Sequence, residues 1–148
     1  MTARTEELGF TLIEMLVTLA LVGLVTLPLI LTFRTSRQNQ AMRASAESFA
    51  DNVKGAHIFS RETKDKKAWG IKNEDNRKYA IVSGKPDNFE VVYSYSLESG
   101  VHFSSGFALW FGPGTGTLEH DEIIDIEADN GQSMRVSVSS TGIVEVTR

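Results

Sequence analysis

Cysteine is absent from the 148 residues. That excludes disulfides, thiolate metal sites and cysteine nucleophiles. Histidine is scarce. His57, His102 and His120 are scattered, none has a metal-ligand partner at a suitable spacing, and all three read as surface or packing residues. No Gly-x-Ser-x-Gly occurs. Loop 112–117, Gly-Pro-Gly-Thr-Gly-Thr, lacks the lysine of a phosphate loop and reads as a flexible turn. No enzyme activity, cofactor or metal is therefore assigned. Charge is missing from one long stretch, since only Glu14 can ionise among the 24 residues 10–33. Positive charge is scarce at the other end: residues 86–148 hold 2 Lys+Arg against 10 Asp+Glu, a net of −8, while residues 34–85 hold 12 against 6, a net of +6.

The uncharged stretch dominates the chain. At 1.5 Å rise per residue, a helix over residues 10–33 is about 36 Å long, enough to cross a hydrocarbon core with some tilt. A secretory signal has a shorter apolar region and a small-residue exit, and Phe33-Arg34 is not such an exit. A carboxylate within such a helix costs about 2.5–3.5 kcal/mol at mid-bilayer, so Glu14 calls for a partner or a function. Glu14 lies four residues after Phe10, and Phe10 follows Gly9. A cut after Gly9 would give Phe10 a new α-amino group, a cation able to pair with Glu14 of the same chain or a neighbour.

Gly9-Phe10-Thr11-Leu12-Ile13-Glu14 resembles the processing site of type IV pilins and type II secretion pseudopilins. The resemblance implies cleavage between Gly9 and Phe10 by a membrane prepilin peptidase and N-methylation of Phe10. It implies that Glu14 serves subunit assembly by neutralising the amine of an adjacent subunit. It further implies partners: the peptidase, other pilins or pseudopilins in a filament, and an inner-membrane assembly platform.

In chain order, residues 1–9 read as a leader that is removed. Arg34, Arg37 and Arg43 follow the apolar run, and only Arg4 precedes it. The positive-inside count alone would put the N-terminus outside. The cleavage motif puts it on the cytoplasmic face, where peptidase and site must meet, and takes precedence. Pro28 removes a backbone hydrogen bond from the apolar helix and predicts a kink or local melting there. Residues 34–62 continue as an amphipathic helix, with Met42, Ala46, Phe49, Val53 and Ala56 as a core-facing stripe. Strands are expected at 68–72, 79–83, 89–97, 101–103, 107–111, 123–128, 133–139 and 143–147, the last three as a meander with Asn130-Gly131 as a hairpin turn. The aromatic residues of these segments, Trp69 and Trp110 among them, read as core.

Asp125-x-Glu127-x-Asp129 offers oxygen ligands suited to calcium, but alternation favours a solvated strand face. The basic and acidic halves read first as solvated surface or pairs within one subunit; complementary faces between stacked subunits are the other reading. The order of helix and strands resembles the H-type minor pseudopilins and related minor pilins. Some DNA-binding relatives carry an arginine-containing motif near the C-terminus. Residues 141–148 here, Thr-Gly-Ile-Val-Glu-Val-Thr-Arg, lack that basic cluster, which leaves nucleic acid without a clear site.

The expected fold is α+β and pilin-like. Residues 10–33 form a transmembrane and filament-core helix, 34–62 its amphipathic continuation, and 63–148 a β-rich head of antiparallel strands. The expected function is that of a minor pilin or pseudopilin. It begins as a single-pass protein of the inner membrane with an extracytoplasmic head, and is then assembled into a type IV pilus-like filament or type II secretion pseudopilus. The alternatives are a membrane-anchored binding domain that never polymerises, or a tip pilin binding DNA or a surface.

Overall fold

The computed structural model describes residues 11–62 and 67–148, without the side chains of residues 27–29 and 31. One helix, α1, runs over Leu12–Arg61. Eight strands follow: β1 (Trp69–Asn73), β2 (Lys78–Lys85), β3 (Asn88–Ser96), β4 (Val101–Phe103), β5 (Ala108–Phe111), β6 (Glu122–Ala128), β7 (Ser133–Val138) and β8 (Val144–Thr147). The chain divides into two units, Met1–Ser36 and Arg37–Arg148.

The second unit is a helix packed on two antiparallel sheets, ordered β3-β2-β1-β5 and β4-β6-β7-β8. Met42, Ala46, Phe49, Ala50, Val53 and Ala56 are the buried stripe of α1. Phe49 joins the layers, with its ring edge-on to Tyr79 of β2 at 5.1 Å and to Phe103 of β4 at 5.3 Å. Edge-to-face contacts of this kind add to the area each ring removes from water. The two sheets share one core, in which Ile71, Tyr79, Ile81 and Leu109 of the first face α1 alongside Val101, Ile124, Ile126 and Val136 of the second.

The sheet assignment is not sequential. β4 pairs with β6, and the next strand, β5, leaves for the other sheet and pairs with β1. β6, β7 and β8 form the expected meander. Its first turn carries Gly131 at φ +80°, with Gly131 N–H donating to Ala128 O over 2.8 Å and Gln132 N–H to Asn130 Oδ1 over 3.1 Å. β2 runs two residues past the expected stop, because Gly84 at φ +127° stays paired with Phe89.

Candidate functional site

Gly9 and Phe10, the expected cleavage and methylation residues, lie outside the described residues. The first turn after them is described. Thr11 caps α1: its carbonyl accepts from Glu14 N–H at 3.1 Å and Met15 N–H at 3.2 Å, and its hydroxyl oxygen accepts from Glu14 N–H at 3.3 Å. Glu14 is therefore the third helical residue after a threonine cap, the Thr-x-x-Glu spacing of a capping box. Its carboxylate sits where the helix dipole is positive, which favours it by about 0.3–1 kcal/mol.

The cap accounts for a tolerated acid, not for the surface around it. From residue 12 to residue 25 every large apolar side chain is more than half exposed, up to 79% at Leu12 and 74% at Leu24. These positions circle the helix, so no single stripe facing one neighbour can cover them. A helix apolar all round belongs in lipid or among other apolar helices. Two of its hydroxyls bond back onto the helix: Thr18 Oγ1 donates to Met15 O over 2.9 Å and Thr26 Oγ1 to Val22 O over 2.6 Å. Among the described residues no helix is long and apolar enough to cross a membrane. The helical backbone continues through Pro28.

The head offers little chemistry. His102 lies between two carboxylates, Nε2 3.8 Å from Glu127 Oε2 and Nδ1 3.7 Å from Asp129 Oδ1. His120 Nε2 is 2.7 Å from Glu122 Oε1. The acidic run is a strand, as its alternation implies: Ile124, Ile126 and Ala128 are buried while Asp125 and Glu127 face out. Asp125 is held by Arg135, which donates from Nε at 2.8 Å and from Nη2 at 3.3 Å. Those bonds hold the Asp125 carboxyl below the usual carboxylate range. Among the described residues no group of three His, Asp or Glu side chains is arranged to hold a metal ion. A hollow of about 300 Å³ beside this pair is lined by Asp125, Glu127, Ser133, Arg135, Thr147 and Arg148. Of the two basic residues after Lys85, Arg135 is thus already engaged.

Two readings shift. Loop 112–117 is not a loose turn: Gly112 N–H donates to Thr117 O and Gly114 N–H to Ser60 O, both over 2.8 Å. Among the aromatic residues, Trp69 and Phe111 are core, while Tyr93 is 49% exposed and Trp110 is half-buried on the outer face of its sheet, over Gly70.

The family described as the prokaryotic N-terminal methylation motif matches residues 5–30. Two solved structures of the minor pseudopilin EpsH from the type II secretion system of Vibrio cholerae share the fold. One aligns with a TM-score of 0.56 and 15% identity, covering 71% of this chain and 94% of that one. The other aligns with a TM-score of 0.58 and 12% identity, covering 73% and 94%. No curated protein sequence matches the chain.

Proposed function

We propose that the chain is a minor pseudopilin, cut after Gly9, methylated on Phe10 and assembled through its apolar helix into a type II secretion pseudopilus or related filament. The observation that carries this is the methylation motif over residues 5–30, ending in a helix whose apolar side chains are exposed all round. The α+β head on that helix is the fold of the EpsH structures, which supports the same reading.

In this reading residues 10–33 sit in the inner membrane before assembly, with the head extracytoplasmic, and afterwards pack among the helices of neighbouring subunits. Both environments cover the apolar surface that the single chain leaves bare. Prepilin peptidase, an assembly platform and other pseudopilins are the partners. Pro28 is the point where the packed helix bends or unwinds.

Glu14 is the assembly residue. Cleavage creates an ammonium on Phe10, and inside an apolar bundle that charge needs a carboxylate. Removing one partner of such a pair costs about 3–5 kcal/mol. The test is incorporation of Glu14→Ala and Glu14→Gln into filaments recovered from the host. Both variants are expected in the membrane with a folded head and absent from filaments. Normal incorporation of either would overturn the role.

A further inference from the structure

The C-terminal end of α1 lies under two loops. Loop 112–117 is fastened by Gly114 N–H to Ser60 O, and the Ser60 hydroxyl lies 2.9 Å from the carbonyls of both Phe111 and Gly112. Turn 139–142 is tied in beside it, with Leu118 N–H donating to Ser140 O over 2.9 Å. One turn of helix before Ser60, His57 fills the space beneath both. Its ring centroid is 5.4 Å from that of Phe111. Cβ atoms added to Gly116 or Gly142 would each collide with the imidazole. Both glycines also hold positive φ, +69° and +84°, so neither position suits another residue.

His57 Nε2 is sealed from solvent and has no hydrogen-bond partner among the described residues. A neutral imidazole can present this nitrogen as a bare acceptor. A protonated one cannot, because both ring nitrogens then carry hydrogens that need acceptors. The charged group that acts on it is Arg61, four residues on along α1, whose Cγ borders Gly116 as well. Loop 112–117 and turn 139–142 contain no titratable side chain. Asp121 reaches the turn, accepting from Ser140 N–H over 2.6 Å.

We propose that His57 is an acid-sensitive latch: neutral, it seats loop 112–117 and turn 139–142 on α1, and protonated, it drives them off. Burial, and then Arg61, push its imidazole below the ordinary 6.5. The folded head therefore favours the neutral form. The clasp is complete above pH 6.5 and weakens as pH falls through the lowered value. This inference does not depend on the assembly reading. It concerns which surface the head presents at this end in a neutral or an acidified envelope.

The test is amide hydrogen exchange on the full chain in detergent micelles, at about pH 7.5 and about pH 5, corrected for intrinsic exchange rates. The amides of Gly114, Leu118 and Gly142 are expected to lose protection by roughly tenfold or more at the lower pH, while those of β6 and β7 keep theirs. In His57→Gln the three amides should show no such change with pH. Unchanged protection in the wild-type chain, or the same acid loss in His57→Gln, would overturn the latch. If that variant does not fold, the ring titration of His57 followed by NMR in the wild-type chain decides. Its midpoint should coincide with the loss of protection, and separate midpoints would contradict the proposal.

Discussion

Asn52 Nδ2 donates to the Tyr79 hydroxyl oxygen over 2.8 Å, a bond that fastens the middle of the head's helix to β2. The Tyr79 side chain is 2% exposed, and burial pushes its hydroxyl pKa up. Tyr79→Phe keeps the ring packing and deletes the acceptor, leaving Asn52 short of a partner. The expected loss is about 1–2 kcal/mol in chemical denaturation of the full chain in micelles. A neutral result would mean that the bond contributes nothing net.

Phe49 lies 5.1–5.3 Å from the rings of Tyr79, Phe103 and Phe107 and is fully buried. Phe49→Ala empties the joint between the sheets and is expected to cost about 3–5 kcal/mol. Phe49→Leu, which keeps most of the volume, should cost clearly less. Equal losses in the two variants would argue against a packing role.

Asp125 and Arg135 face each other across β6 and β7, with side chains 35% and 54% exposed. Solvent screening keeps the coupling of this exposed pair small in a double-mutant cycle at neutral pH. Because the Asp125 pKa is lowered in the folded chain, this stability is present above the ordinary 3.8 and disappears as pH falls through the lowered value. Coupling between Asp125→Asn and Arg135→Gln that stayed constant as pH fell from neutral to well past the lowered value would contradict an ionic origin.

Gly142→Ala meets both a positive φ and the His57 ring. It is expected to cost about 1–3 kcal/mol. Gly131 also has positive φ, but with open space around its Cβ position, so Gly131→Ala should cost less. The difference between the two, read from thermal melts, isolates the steric part contributed by His57.

Periodicity exposed most of this architecture. The stripe from Met42 to Ala56 is buried as its spacing implies, and each expected strand is present within two residues at either end. Local chemistry decides such features: apolar spacing for α1, glycine and asparagine for the turn at Gly131. The division into two sheets was not readable, because the pairings of β5 with β1 and β4 with β6 join residues far apart in sequence. His57 was legible only as a surface or packing residue. Its sealed nitrogen depends on Gly116 and Gly142, which local pattern does not connect to it. At the N-terminus, Glu14 stood out by its charge alone, while the Thr11 cap became visible through the geometry of the first turn.

The central claim is that the mature protein begins at Phe10. Intact-mass analysis with N-terminal sequencing of the protein from membranes of its own host tests it most directly. The account predicts a chain starting at N-methylated Phe10, Met1 to Gly9 having been removed. A chain that retains those nine residues would contradict it and leave a membrane-anchored binding domain as the better reading.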